Sequence, residues 1–270
     1  MNAPKLNFVV QEIPKEVAFE MVKKYHYSNT LPRLNKHFVG FYLKDDLVGC
    51  VTLGWGTRPL HTIRKIFPSL ETKDYYEIGR MCMTDDMPRN SESQMISQLA
   101  SWIKRNCPEI KVLFTWADGV RGKPGYVYQA SNFYYLGYIW TDTYMKDGVQ
   151  LHPRQTKAFF SSGATDKRVT CRPTAQQMAE QNVFHYKGKQ FKYCLFLCSR
   201  NERKRLIRES IDPIGKGYPK HDDLQWKVQN NSGKWELCQK PEYITDIDAT
   251  TRKLFDETEA KTLEKILQHS

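Results

Sequence analysis

The sequence predicts an α/β protein with one core domain and an extension, and three observations carry that prediction. The stretch from Glu77 to Tyr135 reads as strand, polar arm, helix, strand, loop and helix: EIGRMCM, TDDMPRNSES, an amphipathic run, KVLFTWADG and YVYQASNFYYLG. Alternating and helical apolar periods also occur on the N-terminal side of this stretch. At 270 residues the chain exceeds the usual single-domain size without requiring a second domain. With 40% hydrophobic and 26% charged residues, it can bury a core and is not a disordered chain.

Taken in order, LNFVVQEI alternates as a strand, and Pro14 then opens a helix with Ala18, Met21, Val22 and Tyr25 at helical spacing. That helix ends at His26-Tyr27-Ser28, before Pro32. HFVGFYLKDDLVGCVTLGW reads as two strands around a turn at Lys44-Asp45-Asp46, and RPLHTIRKIFPSL as a connection with some helical character. Tyr75 to Met83 is a strand. On it Glu77 and Arg80, three residues apart, are expected on opposite faces, so that only one meets the site. Ser91 with Gln94 fits a capping box, and Met95, Ile96, Leu99, Trp102 and Ile103 mark one apolar helix face. Lys111 to Ala117 is a further strand. YVYQASNFYYLG is expected as a short helix with Gly137 as its C-cap, followed by a hairpin with Lys146-Asp147-Gly148 as its turn. Beyond Arg154, FHYKGKQFKYCLFLCS reads as a hairpin, RNERKRLIR as a basic run, and LFDETEAKTLEKIL as a helical pattern near the C-terminus.

Lys and Arg number 41 against 30 acids, a net charge of +11 with a pI near 9.2, which favours a polyanionic partner. The seven cysteines form no CxxC pair, so a reduced, cytosolic setting and no structural zinc are expected, although Cys194 and Cys198 could share one face of a strand. No apolar run approaches the roughly 20 residues of a membrane helix, so no membrane partner is expected.

Local chemistry centres on the same middle stretch. A helix that opens on a polar arm offers N–H groups with no partner inside the helix, at the positive end of its dipole. Arg89 adds a fixed charge there, which suits a phosphate or pyrophosphate; alternatively Arg89 pairs with Asp85 or Asp86. Trp116 and Asp118 share one side of their strand, placing a stacking surface and a carboxylate at its C-terminal end, although Asp-Gly is also a turn signal. Arg121 and Lys123 lie in a loop with Gly119, Gly122 and Gly125 that could close over a substrate. Tyr128 could donate a proton to a departing group or simply pack in the core.

The words PRNSES, ADG and YQASNF, with the earlier His26-Tyr27, resemble the phage Mom family of DNA-modifying proteins, and the order of elements resembles the GNAT acyltransferase fold. The resemblance implies a GNAT-like α/β fold, a central mixed twisted sheet flanked by helices with a C-terminal extension. It places a catalytic domain at 1–200, with a basic segment and extension at 201–270 partly packed on the core. It also implies an enzyme that adds a carbamoylmethyl-type group to the exocyclic amine of adenine in double-stranded DNA, shielding phage DNA from restriction in the bacterial cytoplasm. That amine is a poor nucleophile, because its lone pair is delocalised, so a proton acceptor is needed as the bond forms.

By that resemblance Asp118, Tyr128, His26, Tyr27 and Ser91 are catalytic. Arg89, Asn90, Ser91, Glu92, Ser93 and Arg80 hold the donor, and Glu77 stands as an alternative base. Trp116, Tyr27, Arg121 and Lys123 meet the DNA, with a ring stacked on a base turned out of the duplex. Iron is implied, with His26 as its ligand. The arm from Arg89 to Ser93 has no glycine, so the donor stays open between acetyl-CoA and a glycyl donor such as glycyl-tRNA. A homodimer is compatible with the sequence. Two other classes stay open: an acyltransferase for a small molecule, a protein or an aminoacyl-tRNA, and a non-catalytic DNA-binding protein on an acyltransferase core.

Overall fold

The computed structural model describes residues 5–28, 31–146, 148–151 and 174–242, and these form two compact units. Among the described residues the first unit comprises 5–28, 31–142, 187–227 and 237–240. In it the opening alternation forms β1 (Val9–Glu12), and Pro14 precedes α1 (Lys15–Tyr25), which buries Ala18 and Val22. β2 (Leu34–Leu43) and β3 (Asp46–Trp55) make the expected hairpin. Its turn holds Lys44 at a φ of 57°.

α2 (Pro59–Arg64) follows, then β4 (Tyr75–Met83), α3 (Ser91–Asn106), β5 (Val112–Ala117) and α4 (Tyr126–Ala130). The chain continues through β6 (Tyr134–Lys146), β7 (Val149–Leu151), α5 (Ala175–Glu180), β8 (Val183–Phe196), α6 (Arg200–Glu209), β9 (Trp226–Gln229) and β10 (Trp235–Cys238).

Neighbouring strands of the sheet run β1-β2-β3-β4-β5-β8-β6, with β4 and β5 parallel and β5 antiparallel to β8. The sheet is therefore mixed. Alternation along β5 divides the core in two: Leu113 joins the cluster covered by Met95, Ile96, Leu99 and Ile103 of α3. Val112 and Phe114 join the cluster of Ile63 from α2 and Leu206 from α6. Helices thus cover both faces, as an α/β sheet of this kind requires.

Among the described residues the second unit comprises 143–146, 148–151, 174–186, 228–236 and 241–242. Its small core is Tyr144, Met178 and Val183, and Tyr144 stacks on His185 with centroids 4.2 Å apart. Thr174 and Gln177 close a capping box on α5. The C-terminal LFDETEAKTLEKIL helix expected from the sequence lies outside the described residues.

Three local expectations are corrected. The segment FHYKGKQFKYCLFLCS is one continuous strand, β8, rather than a hairpin. Gly188 is there for close approach and not for a turn, since a Cβ on it would come within 2.8 Å of Val120. The helix in YVYQASNFYYLG ends at Ala130, where Asn132 takes a φ of 61°, and Gly137 sits inside β6. Ser91 does not cap α3. Asn90 is the N-cap residue, at a φ of 71°, while the Ser91 hydroxyl donates to the Pro88 carbonyl and Gln94 accepts from the Leu6 amide.

Candidate active site

β4 and β5 pair only from Tyr75↔Val112 to Glu77↔Phe114, yet β4 runs on to Met83 and β5 to Ala117. Beyond Phe114, β5 keeps its partner β8 on the other side, so the two parallel strands part and leave a cleft between them. Here β4 also carries a bulge. Its register with β3 passes from Leu53↔Ile78 to Thr52↔Arg80, leaving Gly79 as the extra residue. A Cβ at Gly79 would meet Pro32 at 2.7 Å and the Thr52 hydroxyl at 2.9 Å, so only glycine fits. One extra residue resets the alternation, and Glu77 and Arg80 both face the cleft instead of opposite sides.

Arg80 is the hub. One guanidinium nitrogen donates to the Gly79 carbonyl at 2.7 Å and another to the Ser28 hydroxyl at 2.9 Å, while its amide donates to the Thr52 hydroxyl at 3.0 Å. Tyr27, Asp118 and Glu77 surround the cation, so it sits against two carboxylates. Burial lowers its pKa, but a guanidinium stays protonated in any case.

Asp118 caps the 3₁₀ turn Gly119–Arg121, accepting from the Arg121 amide at 3.2 Å, and also takes a hydrogen bond from Tyr27. Burial pushes its pKa up, against the opposing pull of those donors and of Arg121 and Lys123. The next residue fixes where this carboxylate points. A Cβ on Gly119 would lie 2.2 Å from the Lys189 carbonyl of β8. We therefore expect Gly119→Ala to cost about 1–3 kcal/mol, read as a lower thermal midpoint by calorimetry.

Glu77 is the most perturbed carboxylate: burial lifts its pKa to about 7, opposed by hydrogen bonds from the Gly56 amide and the Trp116 indole and by Arg80. Trp116 thus serves Glu77 and packs edge-on against Phe114, with centroids 5.1 Å apart. Tyr27 leaves 50% of its surface exposed while its hydroxyl end reaches Asp118. Burial and the neighbouring carboxylate raise its pKa. Its ring stacks on His26 at 4.4 Å and lies under the Lys123 ammonium at 4.1 Å. Lys123 is itself pulled down by burial. Tyr128 approaches the Thr115 side chain and is also raised by burial, so it keeps its proton.

His26 ends α1, and burial, then Arg80, lower its pKa to about 4, which leaves the ring neutral at physiological pH. Its Nδ1 lies within reach of both the Ser28 amide, at 2.9 Å, and the Ser28 carbonyl, at 3.0 Å. No three His, Cys, Asp or Glu side chains come together as a metal site among the described residues. The expected iron at His26 therefore finds no ligand set there, because the group's neighbours are cations and aromatic rings.

The structure brings His26, Tyr27, Glu77, Arg80, Trp116, Asp118, Lys123 and Tyr128 into one network. The arm stands apart from that network. Arg89, Asn90 and Glu92 are exposed, and Ser91 is buried in its bond to Pro88. No side chain caps the start of the 16-residue α3. Sequence reasoning missed Ser28, Thr52 and Gly56, which serve Arg80 and Glu77. Gly56 had a legible trace, a glycine two residues before Arg58-Pro59, but nothing local showed that it would face Glu77.

Strand, arm, helix, strand and tyrosine-bearing helix in this order, on a mixed sheet, define a GNAT-like acyltransferase fold. The chain belongs to the Mom protein family, whose model matches residues 7–220. It is 30% identical over 197 residues to the methylcarbamoylase Mom of Escherichia phage Mu, covering 73% of this chain and 78% of that protein. Among solved structures it is similar to a Bacillus subtilis acetyltransferase in complex with CoA, at 11% identity and a TM-score of 0.35, over 72% of this chain and 100% of the other. A GNAT family acetyltransferase from Elizabethkingia anophelis with acetyl-CoA bound is similar at 11% identity and a TM-score of 0.34, over 70% and 98%. No helix among the described residues is long and apolar enough to cross a membrane.

Proposed function

We propose that this chain is a DNA-modifying transferase that places a carbamoylmethyl-type group on the exocyclic amine of adenine, in the bacterial cytoplasm, and so protects phage DNA from restriction. The observation that carries this reading is the network of Asp118, Tyr27, Arg80 and Glu77 at the parting of β4 and β5, in a member of the Mom family. In this scheme Asp118 accepts the proton of the adenine amine, the half-exposed Tyr27 ring supports the turned-out base, and Tyr128 returns a proton to the departing group. Arg80 keeps both carboxylates in place. Lys123 and Arg121 face the phosphates around the target.

The donor is held by Arg89 to Ser93. Asn90 takes over the left-handed backbone position that a glycine would otherwise fill, so the absence of glycines does not bar an anion from the start of α3. Acetyl-CoA and a glycyl donor such as glycyl-tRNA both present an anion to that arm. A glycyl group passed to the amine, with the tRNA hydroxyl as leaving group, gives an amide that is an isomer of the carbamoylmethyl product and reaches it only by a rearrangement, whereas an acetyl group lacks the amide nitrogen.

The test is to digest DNA from cells expressing the chain and weigh the nucleosides. A new adenosine adduct is expected, and ordinary adenosine throughout overturns the proposal. Co-purifying candidate donors and weighing what stays bound then separates the two donor classes.

A further inference from the structure

Away from the cleft, the surface has a groove of about 750 Å³ lined by Arg58, His61, Arg64 and Lys65, with Leu60 and Ile211 between them. No acid lines it. The one ion pair involving these cations among the described residues is Arg64 with Glu71, at 3.6 Å with both side chains about half exposed, which is weak. Tyr75 pins the groove helix by donating to the Pro59 carbonyl at 2.9 Å, and Ile63 anchors it in the core.

Two connections give the groove its place. Gly56, whose amide serves Glu77, stands two residues before Arg58, so one loop links the reacting end of the cleft to the groove. On the far side the Ile211 amide donates to the Ile66 carbonyl at 3.0 Å and Arg205 donates to the Ser69 hydroxyl at 2.9 Å, which ties α6 to it. Arg205 is balanced by Glu202 and Glu209, but Arg200, Lys204 and Arg208 are exposed and extend the positive strip.

We propose that this groove, continued by α6, carries the phosphate backbone of double-stranded DNA beside the target adenine; the inference rests on the DNA-modification reading above. The antiparallel register of β3 and β4 favours DNA over a tRNA-borne donor. Gly54 lies opposite Glu77 and Gly49 opposite Met83, so the groove follows β3 at the end of β4 away from the α3 arm. Six residues of strand, about 20 Å, separate Glu77 from the end of β4 that leads into the arm. Donor and duplex therefore approach the cleft from opposite ends.

The experiment uses the whole chain and its Arg64→Ala/Lys65→Ala variant, titrated with a DNA duplex and with bulk tRNA by anisotropy between about 50 and 200 mM salt. Both substituted side chains are exposed, so the fold is retained. For the variant we expect duplex affinity at least about tenfold lower and a salt slope smaller by about two. An unchanged duplex affinity and slope overturns the groove, and so does a loss confined to tRNA. Nucleoside mass on the parent chain separates the two readings. If the parent forms the adduct and the variant binds duplex unchanged, the groove fails alone; if the parent forms none and the variant still loses duplex affinity, the modification reading fails alone.

Discussion

Asp118→Asn is expected to slow adenine modification by about 10²–10⁴-fold while leaving DNA affinity and its salt dependence nearly unchanged. Asparagine has the same shape, and its carbonyl oxygen can still accept from the Arg121 amide and from Tyr27, so the turn Gly119–Arg121 keeps its cap. What disappears is the ability to take a proton. The adenine amine shares its lone pair with the ring, so it becomes a competent nucleophile only as its proton leaves. Binding has other sources, since phosphate neutralisation by exposed cations sets affinity and the salt slope. Stability offers an independent check on the geometry. Burial disfavours the charged carboxylate at this position, so a neutral isostere should not lower the thermal midpoint at neutral pH. Adduct formation by nucleoside mass and duplex binding by anisotropy would read the two properties separately. Unaltered modification by this variant would remove Asp118 from the mechanism.

Much of the fold was legible because long elements declare their period. Tyr75 to Met83 reads as a strand and is β4 from end to end, and the apolar stripe from Met95 to Ile103 is buried as the stripe requires. What could not be read was set by contacts distant in sequence. The bulge at Gly79 follows from the close approach of Pro32 and Thr52, and it alone decides that Glu77 and Arg80 share a face. Asn90 displaced Ser91 as the cap because the arm turns through a left-handed residue there, leaving the serine hydroxyl for Pro88. The expected hairpin is a single strand, inside which Gly188 leaves room for Val120. At the cleft, Asp118, Tyr27 and Tyr128 were picked out from motif words. The partners that tune the network, Ser28, Thr52 and Gly56, are small residues whose meaning lies only in what faces them.

The bulge makes the second large effect a test of Glu77, which turns toward the cleft together with Arg80. Glu77 is the alternative to Asp118 as proton acceptor, and its pKa of about 7 puts its ionisation in the working range of a general base; on that reading modification rises with pH through about 7 and levels off above it. Glu77→Gln keeps an oxygen for the Gly56 amide and the Trp116 indole but cannot ionise. We expect a loss of about 10²–10⁴-fold above pH 7 and disappearance of that rising limb. A limb that survives in the variant would belong to another group, and Glu77 would then lose its role as base. Stability should move the other way. The ordinary value, 4.5, applies in the unfolded chain, so between pH 4.5 and about 7 the folded protein holds a proton that the unfolded chain releases. Unfolding is then favoured progressively as pH rises through that window; the contribution of the protonated Glu77 is complete below 4.5 and lost above about 7. The shift corresponds to a loss on the order of 3–4 kcal/mol. Glu77→Gln never bears that charge, so it should match the parent near pH 4.5 and be more stable than the parent at pH 8 by denaturant titration. A variant both less active and more stable at alkaline pH is the signature of a carboxylate held charged in a buried cleft for its chemistry, because a merely structural carboxylate would lose stability on removal.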